Sequence, residues 1–284
     1  LLAIAEPYAL ACGPATRRRP VAVCACGTYV PLTCEIGTFR HFYRRAYQRC
    51  HLTAISRYTA GRVAEWLPAP VRVITPGVDF QRYQPGGQPP LDPGPWVVTA
   101  GGVKSRKGTA VLVSAMAEVV KQVPNARLAV IGTLPEDEYA SRVKQSIAEN
   151  GLAERVTLTG HIPFEELLGY YHAATAFALP SVSLPQRFEG FGLVLLEAQA
   201  AGAPAVGARD CGNEDALLPG QTGFLMEQHN HEELAGHLVT LLTDTELRQR
   251  MSAAAREYAR SRDWSRVGAE YLAWFEEAIA AGPA

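Results

Sequence analysis

Phe188-Glu189-Gly190-Phe191-Gly192-Leu193-Val194-Leu195-Leu196-Glu197-Ala198 sets two carboxylates eight residues apart, separated by two glycines and an apolar run. Such a run predicts a helix opening near residue 192 and lasting to residue 201. Glu189 then lies in the loop at the positive end of that helix. Glu197 lies roughly 7 Å along the axis, at 1.5 Å per residue. Carboxylates so placed can accept hydrogen bonds from two hydroxyl-rich parts of one ligand, while the N–H groups of Phe191, Gly192 and Leu193 face its phosphates. The plainer reading makes Glu189 an acid at a helix start and Glu197 a solvent-facing residue. The neighbours of Glu197 argue against it. Leu-Val-Leu-Leu precedes it and Ala-Gln-Ala-Ala-Gly-Ala-Pro follows, so the helix is nearly all apolar and is expected to be buried. A carboxylate on a buried helix needs a partner.

A second unusual loop stands upstream. Gly101-Gly102-Val103-Lys104-Ser105-Arg106-Lys107-Gly108 follows a predicted strand, 96–100, and precedes a predicted helix, 109–122. Glycines let the backbone approach an anion, and Lys104, Arg106 and Lys107 suit a diphosphate. The order Lys107-Gly108-Thr109 is not that of a P-loop, which requires Gly-Lys-Thr. No GxGxxG is present either, which weighs against a dinucleotide oxidoreductase. Taken alone, the loop also reads as a basic surface turn. Downstream, Cys211-Gly212-Asn213-Glu214-Asp215 opens another helix, with Asn213 expected as its N-cap and Glu214 and Asp215 complementing the dipole.

Strand-like and helix-like segments alternate along nearly the whole chain, predicting α/β architecture with mostly parallel, doubly wound sheets. The expected strands and helices of the first part are strand 21–24, helix 35–50, strand 53–55, helix 57–67 and strand 71–74. Residues 84–95 hold five Pro and three Gly and read as an interdomain linker. Beyond them the alternation restarts: strand 127–131, helix 137–150, strand 155–159, helix 164–172, strands 176–179, 204–207 and 223–226, then helices 231–243, 245–260 and 265–280. The expected division is 1–85, 86–262 and a terminal helix, 263–284. Two cores of ordinary size fit within 284 residues of 48% hydrophobic composition.

The formal net charge is −1, which provides no global drive towards nucleic acid. Residues 1–70 nevertheless carry nine Arg against Glu6, Glu35 and Glu65. A basic face on the first domain could meet anionic lipid or an anionic acceptor; a solvated helix face plus a loop is the plainer alternative. Five of the six cysteines lie in the first 50 residues without a CxxC pair or a His at metal-ligand spacing. Buried thiols in a reducing compartment, the cytoplasm, are expected, with no metal site. No apolar run reaches the ~18–20 residues of a membrane span. The first residues lack a basic n-region and an initiator Met, so residue 1 is not expected to be the biological start.

Together these segments resemble the family 4 retaining glycosyltransferases of the GT-B fold. Glu189 and Glu197 match the family's E-x7-E signature and Lys107-Gly108 its Lys-Gly. Pro76-Gly77-Val78-Asp79 matches an interdomain phrase, without its Asn. Gly212-Asn213-Glu214 and Thr222-Gly223-Phe224-Leu225 match two further motifs. The resemblance implies two Rossmann-like domains, the first incomplete, with roughly half of the acceptor-side domain preceding residue 1. It implies metal-independent transfer from a UDP- or GDP-linked sugar to an unknown acceptor (glycan, lipid or small molecule), with retention and without a cofactor.

By the same resemblance, Glu189 contacts sugar hydroxyls and Glu197 holds the ribose. Lys107 and Arg106 neutralise the diphosphate, aided by residues 190–193 and Gly101-Gly102, and the last helix crosses back to the first domain. Two departures stand out. Gly102 occupies the place of a phosphate-binding Arg, and Cys26, in Cys26-Gly27-Thr28-Tyr29, that of a sugar-side His. A non-catalytic sugar-nucleotide-binding homologue or inactive partner subunit is the alternative reading.

Overall fold

A computed structural model describes residues 2–3, 15–35, 37–84, 92, 94–184 and 186–284. Its backbone forms two parallel sheets. The first is ordered β1-β2-β3-β4, comprising β1 (Leu2–Ala3), β2 (Ala22–Ala25), β3 (His51–Ala54) and β4 (Val71–Val73). Between β2 and β3 lie α1 (Tyr29–Glu35) and α2 (Arg40–Tyr47); α3 (Arg57–Ala64) joins β3 to β4.

Where the sequence predicts one helix over 35–50, α2 covers only Arg40–Tyr47, and α1 ends at Glu35, where the predicted helix begins. The apolar-basic period runs on through this stretch, but Gly37 takes a left-handed φ of +93°, which a continuous helix cannot contain. The turn it permits separates α1 from α2. The residues of the expected linker, apart from Gln84, Asp92, Gly94 and Pro95, lie outside the described set, as do the domain boundary drawn there and Cys12.

The second sheet contains β5 (Trp96–Ala100), β6 (Arg127–Ile131), β7 (Val156–Gly160), β8 (Ala176–Leu179), β9 (Ala205–Ala208) and β10 (Gly223–Met226). Their spatial order is β10-β9-β8-β5-β6-β7, every pairing parallel. Winding proceeds outward from β5 in one direction, then returns to start again at β8. Strands buried on both faces read as continuous apolar runs, and β5 and β8 are buried throughout.

One face carries α4 (Thr109–Gln122), α5 (Glu138–Glu149) and α8 (His231–Thr243). They pack Leu112, Met116, Val143 and Leu238 over the sheet. The opposite face carries α6 (Phe164–Ala173), α7 (Leu193–Ala201) and α9 (Thr245–Ser261), with Tyr171, Leu195 and Leu196 fully buried.

The final helix, α10 (Trp264–Ala281), returns to the first sheet and buries Val267 and Trp274 against Ala22 and Ile74. Its start is pinned to the Pro76–Asp79 phrase. Val78 N–H donates to the Arg262 carbonyl (3.0 Å), and Trp264 N–H donates to the Val78 carbonyl (3.1 Å). Among the described residues, no helix is long and apolar enough to cross a membrane.

Candidate functional site

In open parallel sheets a ligand crevice forms outside the carboxyl ends of the strands where winding reverses. Here that point lies between β5 and β8. The loops leaving these strands, 101–108 and 180–192, are the two singled out in the sequence. They are bound to each other: Val182 N–H donates to the Arg106 carbonyl at 2.9 Å. Gly108 makes the close approach possible. At φ +67°, a Cβ there would sit 1.8 Å from the Pro180 carbonyl oxygen. Any side chain would push the loops apart.

The crossing brings Arg106, Lys107 and Glu189 together. Lys107 Nζ lies 2.8 Å from Glu189 Oε2, and Arg106 Nη1 contacts the same oxygen. Lys107 reaches it by running its stem over Gly101. Both cations and the carboxylate are largely buried, so their charges interact through a medium less screening than bulk water.

Glu189 sits just before α7, whose cap Gly192 is left-handed, with φ +91°. Among the described residues, no hydrogen-bond acceptor is found for the amides of Phe191, Gly192 and Leu193 at the start of α7. The loop is fixed from behind. Gly212 N–H donates to the Glu189 carbonyl (2.8 Å), and fully buried Asn213 donates from Nδ2 to the Phe191 carbonyl (3.2 Å). Asn213 Oδ1 accepts from Ala208 N–H (3.2 Å). The expectation that Asn213 caps a helix is thereby corrected. The short 3-10 helix Gly212–Asp215 has no side-chain cap, and the amide of Asn213 is spent joining β9 to the Glu189 loop. Glu214 accepts from Asp210 N–H, and Asp215 pairs with Arg57 of the first sheet's α3, rather than merely complementing a dipole.

Glu197 has the partner that burial requires, and it is not a cation. Tyr171 on α6 donates its hydroxyl to Glu197 Oε2 at 2.8 Å. Burial raises the Glu197 pKa above its ordinary value. Hydrogen bonds from Tyr171 and Tyr83, and the charges of Lys107 and Arg82, oppose the rise. Burial likewise raises both tyrosine hydroxyls.

Gly102 takes φ +80°, where a Cβ would lie 2.8 Å from the Thr133 carbonyl oxygen. The departure from Arg at this place is therefore built into the backbone path. Cys26 is exposed at the end of β2, and its carbonyl oxygen faces Gly190 across the two sheets. Among the described residues, no group of three His, Cys, Asp or Glu side chains is placed to hold a metal ion. Tyr83, Tyr171 and Arg57 were not singled out in the sequence. Each acts over a long separation, and no local spacing marks it.

The family model for group 1 glycosyl transferases matches residues 88–258. A D-inositol 3-phosphate glycosyltransferase of Corynebacterium glutamicum is 32% identical over 226 residues, 75% of this chain and 53% of that protein. A GDP-mannose-dependent alpha-(1-6)-phosphatidylinositol monomannoside mannosyltransferase of Mycolicibacterium smegmatis is 31% identical over 220 residues, 73% of this chain and 57% of that protein. The chain thus spans about half the length of these curated relatives. Among solved structures, the Anabaena protein HepE in complex with UDP superposes with a TM-score of 0.83 at 20% identity, over 97% of this chain and 78% of that one. Sucrose-phosphate synthase of Thermosynechococcus elongatus gives 0.78 at 23%, over 92% and 68%. These likenesses establish the GT-B architecture.

Proposed function

Because the chain belongs to the group 1 glycosyl transferases, we propose that it moves a sugar from a nucleoside diphosphate to an acceptor hydroxyl, with retention of anomeric configuration. The observation carrying this reading is the convergence of Lys107, Arg106, Glu189 and the open N-terminus of α7 at the switch point of the second sheet.

A diphosphate entering the crevice meets two cations and a helix N-terminus. These supply the charge that a metal would otherwise bring, so the reaction is proposed to need none. As the diphosphate takes up Lys107 and Arg106, Glu189 is released to accept from hydroxyls of the transferred sugar. Glu197, in its tyrosine-lined recess, accepts from the ribose. The bond between the anomeric carbon and the phosphate oxygen breaks, and the acceptor oxygen bonds to that carbon on the same face. The acceptor's proton passes to the departing phosphate oxygen. Lys107 and the α7 amides stabilise the negative charge that grows there. Neither glutamate is a nucleophile; both position. The UDP complex of HepE and the GDP-mannose dependence of the mycobacterial relative support a nucleotide-sugar donor and leave the base open.

The acceptor side is assigned to the first domain, in the cytoplasm against an anionic lipid surface. Phe39 and Phe42 are 63% and 64% exposed at the tip of α2, with Arg40, His41 and Arg45 also exposed around them. The mycobacterial relative is named for a phosphatidylinositol-based acceptor. Sedimentation with phosphatidylglycerol vesicles at low salt tests this assignment. Binding is expected to weaken severalfold in Phe42→Ser and at raised salt; no sedimentation would refute it.

The transfer itself is tested by incubating the chain with UDP- and GDP-sugars and candidate acceptors, and reading product configuration by proton NMR. A product with the donor's configuration is expected. An inverted product would overturn retention. Nucleotide binding without any transfer would favour a sugar-nucleotide-binding homologue instead.

A further inference from the structure

The loop carrying Glu189 is also gripped from the first domain, by the opening turn of α3. Ser56 caps that helix, its Oγ accepting from Thr59 N–H at 3.0 Å. The Ser56 hydroxyl in turn donates to Thr59 Oγ1 (3.0 Å), and Thr59 Oγ1 donates to the Gly190 carbonyl (3.2 Å). Ser56 and Thr59 are both fully buried, so this relay runs without competition from water. It ends on the residue immediately after Glu189, 131 positions away in the chain.

Contacts on either side reinforce it. Arg57 gives its backbone N–H (2.5 Å) and its Nε (2.6 Å) to the carboxylate of Asp215. Tyr58 meets the Phe188 ring edge-on, with centroids 5.1 Å apart, and the Arg62 guanidinium lies 5.8 Å above the same ring. Gly190 leaves no slack: a Cβ there would lie 2.8 Å from the Cys26 carbonyl oxygen and 3.1 Å from Ile55 Cδ1. An ordinary interdomain contact is a polar surface patch free to slide. This one is a directional hydrogen-bond chain locked at both flanks, and its end point fixes the backbone beside Glu189.

We propose that Thr59, supported by Ser56 and flanked by the Arg57–Asp215 pair, is a positioning residue through which the first domain sets Glu189 in the second. The proposal rests on the donor-site role given to Glu189, but its test uses the ligand-free chain, so failure of one is distinguishable from failure of the other. Hydrogen exchange is followed in the peptide covering residues 209–216, whose Gly212 N–H donates to the Glu189 carbonyl, and, as a remote reference, in 127–131 and 156–160. Thr59→Val keeps shape and removes the donor. It is expected to speed exchange at the Gly212 amide about tenfold, as loss of one buried hydrogen bond does, and to leave the reference strands unchanged. Thr59→Ser is expected to restore slow exchange. Unchanged exchange at Gly212 in Thr59→Val, or no rescue by Thr59→Ser, would overturn the proposal. Should Thr59→Val speed exchange everywhere, Arg57→Ala decides. Its side chain is 75% exposed and threatens no core. It is expected to speed exchange over 209–216 about threefold, and no change there would refute the coupling.

Discussion

Two rims face each other across the crevice, and they are built on different terms. The second-domain rim is closed in on itself. Lys107 and Arg106 are largely buried and share the Glu189 carboxylate, and Gly108 lets two loops touch backbone to backbone. The first-domain rim is open. Cys26 is exposed there, and elsewhere on the first domain Tyr29, Phe39 and Phe42 stand more than half in solvent. The contrast teaches that donor chemistry demands fixed charges held at backbone precision. A face meeting a varied or extended partner needs only the right charge and some apolar area.

The largest expected effect tests the closed rim. Lys107→Ala removes the cation proposed to face the leaving diphosphate and is expected to lower transfer by about 10²–10³-fold, the range seen when one transition-state donor is lost. Initial rates at saturating donor measure this. A loss under threefold would mean that Arg106 and the helix N-terminus carry the charge without it.

A smaller effect sharpens the contrast by showing that the closed rim costs stability. The Glu197 pKa is raised in the fold, chiefly by burial. Below the ordinary carboxylate range, both folded and unfolded chains hold the proton and the group is neutral to stability. As pH climbs through the raised folded value, the unfolded chain has already ionised, and stability falls; the loss persists at neutral pH. Glu197→Gln is therefore expected to raise Tm at pH 7.5, by an amount that shrinks towards zero as pH drops below 4.5, the ordinary value. Thermal scans across that window check the sign, and a gap that widens towards acid would contradict it.

The smallest effect belongs to the open rim. Cys26→Ser is expected to leave UDP and GDP affinity within about twofold, since it keeps the carbonyl that packs against Gly190. A larger change by calorimetry would move Cys26 into the nucleotide site.

Much of the second domain was legible because strands buried on both faces and helices with one apolar stripe announce themselves locally. Strands β5, β6, β8 and β10 and helices α4 and α8 have the predicted limits. The first domain was less legible. The helix predicted over 35–50 runs through Gly37, and only the backbone shows that the chain turns there. The site divides similarly. The glycines, the cations and Glu189 lie within two short loops, and Glu197 lies on the helix that follows one of them, so the sequence brought them into view. Tyr171 for Glu197, Arg57 for Asp215 and Thr59 for Gly190 lie 26, 158 and 131 residues from their partners. Such pairs depend on how sheets and helices stack, which no window of sequence contains.

The most direct test of the donor site is calorimetric titration of the chain with UDP and with GDP, in parallel with Glu197→Ala. The account predicts saturable binding of one nucleotide that weakens about ten- to a hundredfold in the variant, as loss of charge-assisted hydrogen bonds requires. Equal affinity in chain and variant, or no binding of either nucleotide, would contradict it.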